Sequence, residues 1–300
     1  DIVRVSVPTA EAVEPFGRIC SLSPVPIVAD IHFDYRLAIA AVEHGASKLR
    51  INPGNIGSWD RVDAVIDAAG QAGAAIRIGV NAGSLDKDIA SREDLTQVDK
   101  LVASSMQFVD HFETRGFTDI VLSAKAHSVS TTLETYRRLS SELPQIPLHL
   151  GVTEAGGIQQ GTIKSSIALG ALLAEGIGDT MRVSLTADPV EEVPVAWGIL
   201  SALELRRRGP EIVSCPTCAR CQVDLIEIAD EVTRRLASCT KPITVAVMGC
   251  VVNGPGEASD ADVGVACGRG SALLFRHGEV VRKVDESQIV DALIEEAEAL

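Results

Sequence analysis

Short runs rich in β-branched residues alternate with amphipathic or alanine-rich stretches from residue 1 to about residue 208. This alternation of two hydrophobic periods predicts repeated βα units. The predicted strands are residues 2–7, 26–31, 48–52, 75–80, 119–123, 147–152 and 180–185. Predicted helices that follow them include residues 35–44, 61–72, 95–114, 131–139, 162–175 and 191–208. Repeated βα units form a parallel sheet with right-handed crossovers, so the expected fold class is α/β.

Seven predicted βα units come one short of a closed (β/α)₈ barrel of the TIM type. The sequence also starts at Asp1 within a predicted strand. We therefore expect a TIM-type barrel whose first unit is missing from this sequence. An open, doubly wound sheet is the alternative arrangement of the same units.

A charged turn at residues 206–210 marks the end of this pattern, so we expect a barrel domain at 1–208 and a second domain at 209–300. The second domain begins with closely spaced cysteines. A helix (223–237), a strand (242–248), three short strands (262–266, 272–275 and 280–284) and a final helix (286–299) are predicted after them. This order predicts a small α+β domain.

The net charge of −14 argues against a nucleic acid or an anionic membrane as the main partner. The longest apolar run, residues 167–174, is too short to span a bilayer. Seven cysteines without a secretory signal are more typical of a reducing cytoplasm and metal-bound thiols than of disulfides.

Cations stand within several predicted barrel strands, where packing favours Val or Ile. They are Arg4, Arg50, Arg77 and Arg182, with Lys125 and Lys164 just beyond two further strand ends. Each could lie on the solvent face of its strand. Directed inward near the carboxyl ends, the same cations would converge, and a polyanion such as a diphosphate would offset their burial.

Polar side chains at the ends of the same strands support a site at that end of the barrel. They are Asp30, His32, Asn52, Asn81, Glu154, Asp188, Glu191 and Glu192. Any one of them could instead be a helix cap or a turn residue, the expected role of Asn55, Ser84 and Asp188.

Three cysteines indicate a metal centre in the second domain. Cys215 and Cys218 form a Cys-x-x-Cys pair, and Cys250 stands in a Gly/Pro-rich loop. Three thiolates can hold an iron–sulfur cluster, and a cluster that lacks a fourth thiolate has an iron that can bind substrate. A zinc site that includes Cys221 is the alternative, as part of a binding protein for an anionic effector. Glu257 follows Cys250 in a Gly-Pro-Gly turn and offers an oxygen ligand.

The segments 30–34, 49–57, 79–85, 149–156, 214–220 and 249–257 together closely resemble a known family. It is the 4-hydroxy-3-methylbut-2-enyl diphosphate synthases of the bacterial non-mevalonate isoprenoid pathway. The likeness runs through essentially the whole chain in collinear order. Cys221 stands at a position that is usually not cysteine in that family.

The resemblance implies a TIM barrel followed by a small domain like one in sulfite reductases, with a 4Fe–4S cluster held by Cys215, Cys218, Cys250 and Glu257. It implies reductive ring opening and dehydroxylation of 2-C-methyl-D-erythritol 2,4-cyclodiphosphate, with electrons from flavodoxin or ferredoxin. A homodimer is implied as well, in which the cluster domain of one subunit caps the barrel of its partner. Another 4Fe–4S reductase or dehydratase acting on a phosphorylated small molecule is the alternative.

The resemblance also assigns roles to residues. The positions that correspond to substrate-binding residues are Arg4, Asp30, Arg50, Asn52, Arg77, Asn81 and Lys164. Glu192 is the first acid/base candidate and Glu154 the second, and Asn253 is expected beside the cluster.

Overall fold

The computed structural model describes residues 1–83, 85, 87–252, 256 and 258–300. Its internal contacts divide the chain into two compact units, Asp1–Ile199 and Leu200–Leu300. The boundary expected near residue 208 stays a prediction. In the part of the chain that is described, each helix is too short or too polar to cross a bilayer.

Parallel strands form the framework of the first unit. They are β1 (Val3–Ser6), β2 (Ile27–Asp30), β3 (Lys48–Ile51), β4 (Ala75–Asn81), β5 (Ile120–Lys125), β6 (His149–Leu150) and β7 (Thr180–Met181). β1 to β5 pair in sequence order, β6 pairs with β7, and a parallel bridge between Leu122 and Leu148 joins the two groups. The predicted α/β class with a parallel sheet is confirmed.

Helices follow the strands as predicted. They are α1 (Val13–Leu22), α2 (Tyr35–Glu43), α3 (Pro53–Ile56), α4 (Trp59–Ala72), α5 (Lys87–Ala90), α6 (Gln97–Thr114), α7 (Val129–Glu142), α8 (Ile158–Ala174) and α9 (Glu192–Ala202). Several begin at side-chain caps, which satisfy backbone N–H groups that have no partner within the helix. Asp34 caps α2, and Thr96 forms a reciprocal capping box with Asp99 at α6.

The two faces of the sheet differ in polarity. Leu49, Ile76, Ile78 and Leu122 are fully buried, whereas the residues that alternate with them on β3 to β5 are largely polar or glycine. Since side chains on a strand alternate between faces, one face packs apolar side chains against the helices and the other carries the polar groups. The hydrophobic core of this unit therefore lies between strands and helices, and the polar face lies opposite it.

The second unit is built on one mixed sheet. Its strands are β8 (Glu211–Ser214), β9 (Thr244–Met248), β10 (Val263–Gly268), β11 (Ser271–Arg276) and β12 (Glu279–Asp285), in the order β12-β11-β10-β9-β8. β8, β9 and β10 are parallel, and β10 to β12 are antiparallel. Helices α10 (Leu225–Leu236) and α11 (Ile289–Glu298) bury Leu225, Val232 and Leu293 in a common core with the sheet.

Candidate active site

The register of the sheet brings polar residues of neighbouring strands side by side. Asp30 of β2 pairs with Arg50 of β3, and Arg50 pairs with Arg77 of β4. Four residues further along β4, toward its carboxyl end, Asn81 pairs with Lys125 of β5. Because these residues share one face, their side chains gather on the polar side of the sheet.

Asp30 lies at the centre of the first group. Its Oδ1 accepts a hydrogen bond from Arg50 Nη1 at 3.1 Å, and its Oδ2 lies 3.5 Å from Arg4 Nε. His32 Nε2 lies 3.7 Å from the same oxygen. Asp30 is only 4% exposed, so one buried carboxylate holds two guanidinium groups from different strands.

Arg77 and Lys125 are buried cations on the same face. Arg77 donates to Ser123 Oγ at 3.0 Å. Burial, together with Arg4 and Arg50, lowers the pKa of Arg77 to about 9. Burial, together with Arg77, Arg4, Arg182 and Arg50, lowers the pKa of Lys125 well below that of an exposed lysine. Loss of water and mutual repulsion both disfavour these charges.

Two glycines make room for the long cationic side chains. A Cβ at Gly79 would lie 2.6 Å from Arg50 Nε, and one at Gly151 would lie 2.6 Å from Lys125 Nζ. Real Cβ atoms do not approach other heavy atoms this closely. The missing side chains therefore allow Arg50 and Lys125 to extend across neighbouring strands into the cluster.

Arg182 directly follows β7 and joins the group from the last strand. Its Nε and Nη2 each donate to the Glu192 carboxylate at 3.3 Å, and the Leu185 N–H donates to the same carboxylate at 3.1 Å. Burial lowers the pKa of Arg4 in β1, and Arg182 and Arg50 contribute to that shift.

Glu154 differs from Glu192 in its surroundings. It follows β6, is exposed, and has a backbone φ of 54°, in the left-handed region that residues other than glycine rarely adopt. Such backbone conformations are often found at functional sites.

The remaining predicted binding residues fall into two groups. The buried Asn52 caps α3, where its side chain accepts from the Gly54 N–H at 3.1 Å. With its amide oriented to satisfy both neighbours, Asn81 accepts from Arg50 Nη2 at 3.1 Å and donates to the Val80 carbonyl at 3.2 Å. Lys164 lies half-buried in α8, and among the described contacts none joins it to the cations.

We call Arg4, Arg50, Arg77, Lys125 and Arg182, with Asp30 and Glu192, the cationic cluster. Five cations meet two carboxylates, so the protonated cluster has an excess of three positive charges. The solvent-face alternative is wrong for Arg77 and Lys125, which are 5% and 7% exposed. An uncompensated buried charge is costly, and a polyanion that accepts several charged hydrogen bonds would remove that cost.

Two of the predicted cluster cysteines lie at the carboxyl edge of the parallel strands of the second unit. Cys215 directly follows β8, and Cys250 follows β9 after one glycine. Ser214 pairs with Val247 across the two strands, so both cysteines leave the sheet at the same edge. Strand β8 was not predicted from the sequence, although it places Cys215 at this edge.

Backbone N–H groups at this edge point toward sulfur. Gly249 N donates to Cys215 Sγ at 3.3 Å. The backbone N–H and the side chain of Arg220, together with the Cys221 N–H, lower the pKa of Cys218. Hydrogen bonds of this kind stabilise the thiolates that hold iron–sulfur clusters, so the donor set fits such a group.

A single-metal site is not preformed there. In the described ranges, no three Cys, His, Asp or Glu side chains lie close enough together to hold one ion. The predicted residues Asn253 and Glu257 lie outside the described residues.

Lys125 and Arg182 are among the cations that the sequence places at strand ends or within strands, but neither is among the predicted substrate-binding residues. Lys125 was expected just beyond a strand, whereas it is the last residue of β5. The sequence alone does not show that Lys125 is deeply buried. The one available signal is Gly151, whose missing side chain leaves room for the Lys125 ammonium group.

Comparison with known proteins decides the family. The description "GcpE TIM-barrel domain" matches residues 1–197, and "GcpE protein C-terminal domain" matches residues 211–299. The chain belongs to the GcpE family. The resemblance inferred from the sequence motifs and the TIM-type barrel are thereby confirmed, and the zinc-binding protein and the open doubly wound sheet are excluded.

Relatives within the GcpE family are similar over almost the whole chain. The 4-hydroxy-3-methylbut-2-en-1-yl diphosphate synthase (flavodoxin) of Geobacter sulfurreducens is 53% identical over 100% of this chain and 85% of its own length. The enzymes of the same name from Clostridium tetani and Corynebacterium jeikeium are 52% and 54% identical over 99% of this chain, and over 84% and 77% of their own lengths. Among solved structures, a Yersinia pestis dihydropteroate synthase aligns with a TM-score of 0.46 at 13% identity, covering 68% of this chain and 82% of its own, which is too distant to inform the site.

Proposed function

We propose that this GcpE-family chain converts 2-C-methyl-D-erythritol 2,4-cyclodiphosphate to 4-hydroxy-3-methylbut-2-enyl diphosphate. The reaction consumes two electrons and two protons, opens the ring and releases one hydroxyl group as water. Its product is the compound named in the relatives' descriptions. The observation that carries the proposal is the cationic cluster, whose excess positive charge a polyanionic ligand would compensate.

Arg4, Arg50, Arg77, Lys125 and Arg182 bind the diphosphate in this proposal. Guanidinium groups contact phosphate oxygens through paired hydrogen bonds, and the Lys125 ammonium adds a compact charge. Asp30 orients Arg4 and Arg50, and Asn81 orients Arg50 from the neighbouring strand. Asn52 contributes by fixing the loop after β3. Lys125 belongs to this set by its position in the cluster, and the binding role of Lys164 stays a prediction.

Glu154 serves as the general acid, and Glu192 as a positioning residue. Three donors already converge on the Glu192 carboxylate, so its role is to orient Arg182 and to hold the segment before α9. Glu154 is exposed in the loop after β6, and its backbone has the left-handed conformation. A general acid must reach the leaving oxygen, and loops after barrel strands supply such groups.

Cys215, Cys218, Cys250 and Glu257 would hold a 4Fe–4S cluster, and Asn253 is the residue expected to act beside it. Such a cluster supplies electrons one at a time and an iron that can act as a Lewis acid. The N–H groups of Gly249, Arg220 and Cys221 favour the thiolate form of the ligands. A carboxylate oxygen such as that of Glu257 binds iron more weakly than a thiolate does. Glu257 would therefore be the ligand that exchanges most easily.

Flavodoxin or ferredoxin donates the electrons, and "flavodoxin" stands in the relatives' names. A cytoplasmic homodimer, a cluster domain like one in sulfite reductases and a closed eight-unit barrel complete the proposal.

Anaerobic turnover tests the proposal. The chain is purified without oxygen, its iron and sulfide are measured, and the cluster is characterised by electron paramagnetic resonance. The cyclic diphosphate is then added with a chemically reduced flavodoxin. We expect formation of the linear diphosphate. A loaded cluster without turnover of this substrate would favour another 4Fe–4S reductase or dehydratase.

A further inference from the structure

Cys221 is a cysteine without a role in the proposed mechanism. It stands three residues after Cys218, so the chain contains a second Cys-x-x-Cys pair that overlaps the first. In the structure, the Cys221 N–H donates to the Cys218 carbonyl at 2.9 Å. This hydrogen bond closes a turn over residues 218–221, and the ends of such turns lie less than about 7 Å apart at Cα. Disulfides span Cα separations of roughly 4.4–6.8 Å.

The two thiols of this turn differ in exposure. Cys218 is exposed, whereas Cys221 is half-buried and packs against the core beneath the sheet edge. The Cys221 S–H donates to the Val223 carbonyl at 3.3 Å, and a Cβ on Gly249 would lie 2.7 Å from its sulfur. An oxidant therefore reaches Cys218 first, and Cys221 lies behind it in the same turn.

Cys215 lies beside the same glycine as Cys221. Its sulfur accepts the Gly249 N–H and packs against two hydrophobic cores of the unit, and a Cβ on Gly249 would also meet the Cys221 sulfur. These contacts fix Cys215 at the end of β8, whereas the exposed Cys218 is joined to Cys221 by the turn itself.

We infer that Cys221 is a resolving thiol that captures Cys218 as a disulfide when an oxidant strips the cluster. This rests on the proposed ligand role of Cys218. With hydrogen peroxide as oxidant, the Cys218 thiol becomes a sulfenic acid and one water is released. The Cys221 sulfur then attacks the Cys218 sulfur, and the Cys218–OH group leaves as a second water. Two thiols are oxidised, one peroxide is reduced, and a later dithiol reductant restores both cysteines.

The disulfide has a defined benefit. A sulfenic acid without a neighbouring thiol is oxidised further to sulfinic and sulfonic acids, which cellular thiols do not reduce. A captured Cys218 can be reduced and can bind iron again. The second Cys-x-x-Cys pair thus makes oxidative loss of the cluster reversible at its exposed ligand.

Arg220 makes the test direct, because it stands between the two cysteines. Trypsin cleavage after Arg208, Arg220 and Arg234 yields peptide 209–220 with Cys215 and Cys218, and peptide 221–234 with Cys221. The anaerobically purified, cluster-loaded chain is treated with hydrogen peroxide, alkylated, digested without reductant and measured by mass spectrometry. We expect a disulfide to join the two peptides. Fragment ions should place it at Cys218, and not at Cys215 on the other side of Pro216.

Variants separate this role from a structural one. In Cys221→Ser, the joined peptides should be lost and Cys218 should accumulate as sulfinic and sulfonic acid. Iron uptake after peroxide and reductant should fall relative to wild type. Cys239→Ser, at another half-buried cysteine of the same unit, should behave as wild type.

Several results would overturn the inference. One is a disulfide within peptide 209–220 instead of between the two peptides. Another is equal overoxidation of Cys218 in wild type and in Cys221→Ser. Loss of iron from untreated Cys221→Ser would make Cys221 a ligand instead. Peptide mapping of the wild type shows whether the Cys218–Cys221 disulfide forms, even if a variant folds poorly. Iron and sulfide contents measured before treatment report separately on the proposed cluster.

Discussion

The two units present their functional groups in different ways. In the first unit, most of the cationic cluster stands on strands, where pairing of Asp30, Arg50 and Arg77 across neighbouring strands fixes its spacing. In the second unit, the thiols stand in segments after strands: Cys215 follows β8 and Cys250 follows β9. One group is set by sheet register, and the other only by where the strands end.

The difference shows what each group requires of the fold. Buried cations repel one another, and a rigid sheet must hold them in place until an anion arrives. Cysteines that hold a cluster gain energy from the metal itself, so a loop with well-placed N–H groups suffices. We therefore expect substitutions in the first unit to act gradually on affinity, and substitutions in the second to act in an all-or-none manner on cluster content.

The largest effect is expected from Cys250→Ser. Loss of one of three thiolates should remove the cluster, and with it all measurable turnover. Iron, sulfide and turnover are measured on the anaerobically purified chain, and Cys239→Ser is the matched control. Retention of a full cluster in Cys250→Ser would contradict the ligand assignment.

The second-largest effects are expected at the two glutamates, and their substitutions should change different kinetic constants. Glu154→Gln should lower kcat by about 10²- to 10⁴-fold, the usual contribution of a general acid. Glu192→Gln should act mainly on KM, because the amide weakens its hold on Arg182. Steady-state kinetics of both variants decide the assignment. A larger loss of kcat in Glu192→Gln would reverse the two roles.

Lys125→Met should weaken binding of the cyclic diphosphate by about 10- to 100-fold, the value of one or two charged hydrogen bonds. The ligand-free chain should melt at a higher temperature than wild type, because an uncompensated buried charge is gone. Lys164→Met is the control, since no described contact places it in the cluster. Equal losses of affinity in the two variants would return Lys164 to the site.

The pH dependence of binding follows from the same lysine. Its pKa is lowered in the free chain, and a bound anion raises it again. Affinity should therefore be constant below the lowered pKa and fall as the pH rises from there to the pKa of the complex. Isothermal titration at a series of pH values should show this fall in wild type and a flatter profile in Lys125→Met. An identical profile in both would show that another group titrates.

The smallest effect is expected from Gly79→Ala. Its Cβ would push Arg50 Nε away from 2.6 Å, and the contact of Arg50 with Asp30 would be strained. Affinity for the diphosphate should fall by roughly tenfold or less. Gly170→Ala in α8, where a Cβ meets nothing within 4 Å, is the control and should bind as wild type. A loss of stability without a loss of affinity would mean that Gly79 serves packing only.

Much of this protein was determined by the sequence itself. The two hydrophobic periods identify the βα units. Side chains return to the same face every 2 residues in a strand and every 3.6 residues in a helix, so the spacing of apolar residues distinguishes the two. Cys215, Cys218 and Cys250 identify the metal-binding domain, since their spacing is local. The segments around them identify the family.

Tertiary structure decided the rest. Whether Arg77 and Lys125 lie on the buried polar face of the sheet depends on strand register, and a shift of one residue moves them to the other face. Strand β8 is four residues long and gave no clear pattern, yet its pairing with β9 brings Cys215 and Cys250 to one edge. The turn that joins Cys218 and Cys221 likewise appears only in the folded chain. Contacts between residues far apart in sequence fix these features, and local patterns do not encode them.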